Sequence, residues 1–227
     1  PFLFLNRKKT SISLSHPKKI MRQIIADLFY LPNLEFFSAI SQCETLYISP
    51  FDTYQRKSYF NRTQILLSNK VETLSIPIVG RRPRLPLGEI QIDYNQKWLA
   101  THLRGIQSAY GKAPFFEFFF PYIESIYEQE IPSLWDLNYK FLTICLKLLQ
   151  LSVKVQVLEK AEELPDAWDI RGQIKPSEHF SNRNYYQAEP YTQLFGLDFE
   201  PNLSVLDLLL CEGPAAKKFL LKSAKKQ

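Results

Sequence analysis

Short apolar runs alternate with amphipathic stretches along the chain, a pattern typical of α/β folds. Residues 24–31 (IIADLFYL) and 45–49 (TLYIS) are short and rich in β-branched and aromatic side chains, so each predicts a strand. Between them, Asn33 can cap a short helix over residues 33–40. A strand, a helix and a strand in this order predict the opening of an α/β unit.

Further strands are predicted downstream. Residues 71–79 place alternate apolar side chains on one face of a half-buried strand, and Pro77 indicates an edge or a bulge. After a loop containing Arg and Pro (80–88), residues 89–93 (EIQID) predict a short strand. Residues 152–160 carry alternating valines and predict another strand.

Helical periodicity appears in the second half of the chain. Residues 98–110 and 137–151 carry apolar side chains at helical spacing. In residues 115–130, Pro121 predicts a turn or short helix followed by a second helix. Residues 203–211 (LSVLDLLLC) predict a helix that ends before a Gly-Pro pair.

Together these elements predict one three-layer-like α/β domain over residues 21–216, with a mixed sheet flanked by helices. Residues 161–198 are polar and predict a long loop with short helical turns, and residues 217–227 predict a basic tail. The only methionine, Met21, directly precedes the first predicted strand, so we expect residues 1–20 to be upstream extension or a disordered basic segment. A targeting segment is the alternative, although its apolar FLFL precedes the basic residues, unlike in a secretory signal.

The positive charge lies at the two ends of the sequence. The formal net charge is +5, but residues 1–20 and 217–227 each carry five bases and no acid. The 196 residues between them hold 18 bases and all 23 acids, a net of −5. A nucleic-acid-binding domain concentrates positive charge on its body, so this distribution disfavours nucleic acid as a partner.

Several common site types are not predicted. With only 7 Gly, the chain carries none of the usual glycine-rich phosphate motifs. Its three histidines and three cysteines are widely separated, so we expect no metal site, no cofactor and reduced thiols of a cytoplasmic protein. No apolar run approaches the roughly 20 residues that span a bilayer, so we expect no transmembrane segment.

Residues 51–65 (FDTYQRKSYFNRTQI) are the densest functional candidate. The forked guanidinium groups of Arg56 and Arg62, with Lys57 between them, suit a phosphate or a carboxylate, and Gln55 and Asn61 can orient a polar substrate. The alternative is a solvated edge strand whose cations discourage aggregation. An extended segment would divide its side chains between two faces, with Tyr54, Arg56, Ser58, Phe60 and Arg62 on one and Gln55, Lys57, Tyr59 and Asn61 on the other.

Two further candidates lie on or beside the helix predicted over residues 98–110. Trp98 and His102 are one helical turn apart, so His102 is either a general base or part of an aromatic contact on the helix flank. Lys112 follows the glycine at the helix end, where a lysine either meets a ligand or complements the helix dipole.

An acidic residue also interrupts the apolar helix predicted over residues 203–211. Asp207 must be paired or face a polar cavity, because burying an isolated carboxylate is costly. Arg62 or Arg171 is its expected partner, and a structural ion pair and a catalytic role both remain open.

Several blocks together resemble the WbqC-like protein family over residues 24–214. The most specific are the pair Asn61-Arg62, the series from Trp98 to Phe116 and the LSVLDLLL helix. A departure from the family pattern is Phe60, where a cation is expected. In order, the blocks read FDTYQRKSYFNRTQI, IQIDYNQKWLATHLRGIQSAYGKAPFFEFF, YTQLFG, which contains Gln193, and FEPNLSVLDLLLCEGP.

This resemblance implies a cytoplasmic role in bacterial surface-polysaccharide (O-antigen type) biosynthesis. The corresponding hypothesis is a transferase that moves an acyl or aminoacyl group onto a nucleotide-linked amino sugar. It would bind an anionic nucleotide-sugar or acyl donor through Gln55, Arg56, Lys57, Asn61, Arg62, Trp98, Lys112 and Gln193, with His102 and Asp207 as catalytic candidates. The alternative is a non-catalytic partner or scaffold for enzymes of a glycan pathway.

Overall fold

A computed structural model describes residues 23–80, 84–160, 166–196 and 198–225, so our expectations for residues 1–20 lie outside the described residues. The strands are β1 (Gln23–Ile25), β2 (Thr45–Ile48), β3 (Arg62–Leu66), β4 (Val71–Ser75), β5 (Lys154–Val157) and β6 (Trp168–Asp169). The α-helices are α1 (Leu34–Ile40), α2 (Trp98–Tyr110), α3 (Phe116–Tyr127), α4 (Leu134–Leu148), α5 (Val205–Glu212) and α6 (Ala216–Ser223). The α/β class predicted from the sequence is confirmed, with parallel and antiparallel strands divided between two sheets.

The larger sheet is parallel and has the strand order β5–β2–β1–β6. Ile24 and Ile25 of β1 are both buried, whereas in β2 Leu46 and Ile48 are buried and alternate with partly exposed residues. The chain first builds outwards on one side of β1, through β2 and β5, and then returns to the other side with β6. The winding therefore reverses between β1 and β6, a topological switch point of the kind found in doubly wound folds.

The smaller sheet is the antiparallel hairpin of β3 and β4, in which Arg62 lies opposite Ser75. The Thr63 hydroxyl donates a 2.8 Å hydrogen bond to the main-chain oxygen of Leu31 and thus joins the hairpin to the segment after β1. Leu31 itself has φ +40°, which is unusual for a residue other than glycine. Its main-chain oxygen also accepts a hydrogen bond from the Ser204 hydroxyl.

The amino-terminal α/β unit follows the prediction only in part. Asn33 caps α1 as predicted, since its side-chain oxygen accepts a 3.0 Å hydrogen bond from the N–H of Phe36. The strand predicted over residues 24–31 ends at Ile25, and the remaining residues form a buried loop. Asp27 consequently follows the strand instead of lying inside it.

Other departures concern elements whose form depends on packing. The helix α3 continues through Pro121, which lies exposed on the solvent side while Phe120 and Ile123 are buried. Residues 89–93 form no continuous strand, and only isolated bridges such as Ile78–Ile92 occur there. Part of the expected basic tail forms α6, because Leu220 packs into the core.

The cysteines and the helix lengths bear on two expectations from the composition. Cys43, Cys145 and Cys211 are free and buried, as the sequence predicted. Burial raises the pKa of each of these thiols to about 12. In the described part of the chain, no helix is both long and apolar enough to cross a membrane.

Candidate functional site

Residues 54–61, which precede β3, fold as a turn and not as an extended strand. Lys57 has φ +57°, in the left-handed region, so the regular alternation of side chains is lost. Tyr54, Tyr59 and Phe60 all point into the core, whereas the charged residues at the tip of the turn are exposed. The extended conformation is therefore found only from Arg62 onwards, and the edge-strand interpretation was wrong for residues 54–61. Gln55, Arg56 and Lys57 form an exposed polar tip on an aromatic base.

Hydrogen bonds from distant parts of the chain hold this turn in place. The amide nitrogen of Asn61 donates a 2.6 Å hydrogen bond to the main-chain oxygen of Ile76, the residue directly after β4. Asn138 of α4 donates to the main-chain oxygens of Phe60 (2.8 Å) and Leu28 (3.2 Å). Asn61 is thus used to fix the backbone, and the polar tip stands on a rigid base.

Arg62 and Asn61 both keep a buried polar atom without a partner among the described residues, namely Nε of Arg62 and Oδ1 of Asn61. Arg62 is partly buried at the start of β3. Burial raises the pKa of Tyr54, while the charges of Arg62 and Arg56 act in the opposite direction. The charges of Arg56 and Arg62 therefore both act on Tyr54 at the base of the turn.

His102 is part of a closed hydrogen-bond chain. Its Nε2 lies 3.2 Å from the main-chain oxygen of Ser75, which can only accept, so Nε2 carries the proton. Nδ1 then accepts a 2.8 Å hydrogen bond from the Tyr30 hydroxyl, which in turn accepts from the Tyr127 hydroxyl. Burial lowers the pKa of His102 to about 4, so the ring is neutral near pH 7.

Trp98 packs on His102 with its ring centroid 5.1 Å away and an interplanar angle of 77°. Its indole N–H is buried and has no partner among the described residues. A cleft of about 710 Å³ lies between α2 and the β3–β4 hairpin, with Trp98 and His102 in its wall. Its other lining residues are Leu67, Glu72, Thr73, Leu74, Ser75, Pro77, Gln96, Lys97, Thr101 and Gly105.

Asp207 and Gln193 are brought together, although the sequence separates them by a loop. Oδ2 of Asp207 accepts hydrogen bonds from the Tyr191 hydroxyl (2.5 Å) and from Nε2 of Gln193 (2.9 Å). The expected pairing of Asp207 with Arg62 or Arg171 was wrong, because the segment carrying Gln193 supplies neutral donors instead. Burial raises the pKa of Asp207. Lys112 lies exposed just after the end of α2.

A second polar cluster lies at the carboxyl edge of the parallel sheet and was not predicted as a site. Arg171 follows β6 and donates to both carboxylate oxygens of Asp169, at 2.6–3.1 Å, and to Asp52 at 2.9 Å. Asp27 follows β1, is only 8 % exposed, and accepts a 2.7 Å hydrogen bond from the N–H of Gly172. The sequence does contain a signal for this site, namely an acid two residues after the apolar pair Ile24-Ile25. The signal was missed because the strand was predicted to continue to residue 31.

The pKa of Asp27 is raised to about 6. Burial is the main cause, and the nearby charges of Asp52 and Asp169 act in the same direction. The hydrogen bond from Gly172 and the charge of Arg171 oppose the increase. The fold thus holds one carboxyl group that titrates close to neutral pH.

A buried ion pair lies near the start of α1. Glu35 is fully buried and receives two hydrogen bonds from Arg183, at 2.6 Å and 2.8 Å. Asn202 accepts from the Glu35 N–H at 2.8 Å. The two charged residues are far apart in the sequence, so neither was recognised as part of a pair.

Comparison with known proteins gives a match at the level of a family. The model of the WbqC-like protein family matches residues 29–178, well over half of the chain. The matched range contains the turn at residues 54–61, Trp98, His102 and Arg171, but it begins after Asp27 and stops before Gln193 and Asp207. No curated protein and no solved structure matches the chain.

Proposed function

Since this chain belongs to the WbqC-like protein family, we propose that it is a cytoplasmic enzyme of bacterial surface-polysaccharide biosynthesis. Its reaction would transfer an acyl or aminoacyl group onto a nucleotide-linked amino sugar. The observation that carries the proposal is the grouping of three cations in the turn and the first residue of β3, with Arg56 and Lys57 exposed and Arg62 partly exposed. Guanidinium groups on a rigid base suit the phosphates of a sugar nucleotide.

The predicted substrate-binding residues take different parts in this proposal. The anion is held by Arg56, Lys57 and Arg62, and the exposed side chain of Gln55 orients the polar substrate. Asn61 acts by fixing the backbone on which Arg62 stands, since its amide group is already bonded to Ile76. Trp98 would contribute its ring to the wall of the cleft, and Lys112 a cation at the end of α2.

The two catalytic candidates receive supporting roles. Both ring nitrogens of His102 are hydrogen-bonded within the protein, so His102 would orient α2 and Trp98 more readily than exchange a proton. Asp207 would likewise hold the segment that carries Gln193. Under this proposal, a residue other than His102 and Asp207 carries out proton transfer.

Ligand binding to the full chain tests the proposal. Calorimetry with uridine diphosphate, UDP-glucosamine and acetyl-coenzyme A should show binding of at least one compound, lost in Arg62→Ala and weakened in Arg56→Ala. Arg104→Ala is the matched control, because Arg104 is an exposed cation on α2 that bonds within its own helix. Circular dichroism verifies folding of each variant. Undiminished binding in folded Arg62→Ala would contradict the proposal.

A non-catalytic partner of glycan-pathway enzymes is the second candidate, favoured by one observation. Phe118 is 68 % exposed and lies one helical turn from exposed Tyr122 on α3. Large exposed aromatic side chains are typical of protein-contact surfaces. Under this alternative, a glycan-biosynthesis enzyme produced together with the chain co-purifies with it, and Phe118→Ala/Tyr122→Ala abolishes the association without changing nucleotide binding.

A further inference from the structure

We propose that the crevice between the carboxyl ends of β1 and β6 binds the amino group of the acceptor substrate and that Asp27 takes up its proton. This inference rests on the proposed function and assigns that reaction a centre distinct from the cationic turn. The crevice is formed by Asp27, Asp52, Asp169, Arg171 and the backbone of Gly172.

The topology of the parallel sheet supports a ligand site at this position. In open α/β sheets, ligands bind outside the carboxyl ends of the strands where the strand order reverses, because the loops there diverge and leave a crevice. The reversal in this chain lies between β1 and β6. Asp27 and Arg171 are each two residues beyond the last residue of one of these strands.

One carboxylate oxygen of Asp27 can still accept a hydrogen bond from a ligand. Its Oδ2 is fixed by the N–H of Gly172 at 2.7 Å, while its Oδ1 makes no hydrogen bond with the described residues. The charge of Arg171 acts on Asp27, but its guanidinium group is bound to Asp52 and Asp169. A carboxylate that is nine-tenths buried and retains a free oxygen is suited to one further donor.

The charge of the crevice selects the kind of donor. Three carboxylates and one guanidinium group give a net charge of −2 when all are ionised, which favours an amine over an anion. In residues 23–80, 84–160, 166–196 and 198–225, no three His, Cys, Asp or Glu side chains are grouped so that they could hold a metal ion. The arrangement therefore points to a protonated amine as ligand.

The titration of Asp27 agrees with a role in proton transfer. With a pKa of about 6, its carboxylate is ionised at neutral pH and still basic enough to accept a proton from a reacting amine. The charged groups that act on it are Asp52, Asp169 and Arg171. Bound amine adds a positive charge beside Asp27, so it favours the ionised form.

The chemical step is an acyl transfer from an activated oxygen or sulfur ester. The bound ammonium group first gives one proton to Asp27, which releases it to solvent, and the resulting neutral amine attacks the acyl carbon. A nitrogen–carbon bond forms, and the bond from that carbon to the ester oxygen or sulfur breaks. The leaving atom takes the electron pair. The proton lost by nitrogen passes to Asp27 and from there to the leaving atom, so the carboxylate is regenerated.

Binding of glucosamine tests the site without requiring the complete substrate. In the full chain with ¹³C-labelled aspartate, glucosamine should shift the Asp27 carboxyl resonance, and N-acetylglucosamine, which lacks the basic amine, should bind at least about tenfold more weakly. Asp27→Asn should reduce the affinity for glucosamine by a similar factor. Asp198→Asn, at an exposed acid outside the crevice, is the matched control and should leave it unchanged.

A pH titration of the unmodified protein keeps the test independent of whether Asp27→Asn folds. Glucosamine affinity should fall as the pH decreases through about 6, because Asp27 becomes neutral. Equal binding of N-acetylglucosamine, an unchanged affinity in folded Asp27→Asn, or displacement of glucosamine by Mg²⁺ at Asp27 overturns the inference.

The outcomes also separate this inference from the proposed function. If uridine diphosphate binds through Arg62 but glucosamine does not shift Asp27, the crevice assignment is wrong and the proposed function stands. If glucosamine binds at Asp27 but no nucleotide or acyl donor binds the chain, the amine site stands and the proposed function falls.

Discussion

The main-chain N–H of Gly172 donates a 2.7 Å hydrogen bond to the carboxylate of Asp27 and so joins the ends of β6 and β1. Gly172 has φ +66°, a conformation that glycine adopts readily and residues with a Cβ adopt rarely. The pair fixes a buried carboxyl group at the switch point of the parallel sheet. Asp27 is thus buried, lies at the switch point of the sheet and is close to other charged groups.

Asp27 should lower the stability of the protein at neutral and alkaline pH. Its folded pKa of about 6 lies above the ordinary value of 3.8, so the ionised form is disfavoured by folding. The resulting loss of stability is absent below pH 3.8, grows as the pH rises to 6 and is complete above it. Asp27→Asn should therefore raise the free energy of unfolding by about 1–3 kcal/mol at pH 8 and by much less at pH 4.5.

Urea unfolding at the two pH values measures this difference. Asp198→Asn, which changes an exposed acid, is the control. A variant Asp27→Asn that is less stable than the unmodified protein at pH 8 would show that the carboxylate is a net stabilising group.

Phe60→Arg should destabilise the protein even though it restores the cation expected at this position in the family. Phe60 is 2 % exposed and packs against Phe29 with a ring-centroid distance of 5.8 Å. Arginine there would lose this packing and bury a charge, at a cost of about 3–5 kcal/mol in urea unfolding. Arg56→Ala, at an exposed site in the same turn, should change stability by less than about 0.5 kcal/mol. A stable Phe60→Arg variant that binds uridine diphosphate more tightly would place the side chain at the ligand.

Removing one partner of the Glu35–Arg183 pair should be more damaging than removing a surface ion pair. Arg183→Met leaves the buried carboxylate of Glu35 without its two strongest donors and should cost about 3–5 kcal/mol in the free energy of unfolding. Lys222→Met breaks an exposed pair with Glu189 and should cost less than about 1 kcal/mol. The expectation fails if the two variants unfold at the same urea concentration.

His102 should stay neutral in mildly acidic solution. Its folded pKa of about 4 lies below the ordinary value of 6.5, so folding favours the neutral ring. The stability that depends on this is fully present above pH 6.5 and is lost as the pH falls towards 4. Nitrogen-15 NMR at pH 5.5 should show an uncharged ring protonated at Nε2. An imidazolium spectrum at that pH would contradict the closed hydrogen-bond chain.

Pro121→Ala should stabilise α3. Proline lacks the N–H that would bond to the main-chain oxygen of Glu117, and its ring is exposed, so alanine restores the bond without disturbing the core. We expect a gain of about 1–3 kcal/mol in urea unfolding. Tyr122→Ala, at the next exposed position of the helix, controls for loss of surface side chains. A loss of stability in Pro121→Ala would indicate that the packing of α3 requires the proline.

Local patterns predicted the elements whose form is decided by nearby residues. The helical spacing of residues 98–110 corresponds to α2, and the Asn33 cap was recognised because a cap acts on the residues that follow it. The turn at residues 54–61 was misjudged because its shape depends on Phe29 and on Asn138, which is 78 residues away from Phe60. The same holds for Asp207, whose donors come from the separate segment around Gln193.

The sequence by itself determined the α/β class, the family and the cationic segment containing Arg56 and Arg62, because these follow from periodicity, residue order and composition. Only the tertiary structure decided that Asp27 follows a strand, that Arg171 pairs with Asp52, and that His102 has no free nitrogen. The physical reason is that strand order and burial set the partners and the pKa of a polar side chain. Both depend on segments that the linear sequence keeps far apart.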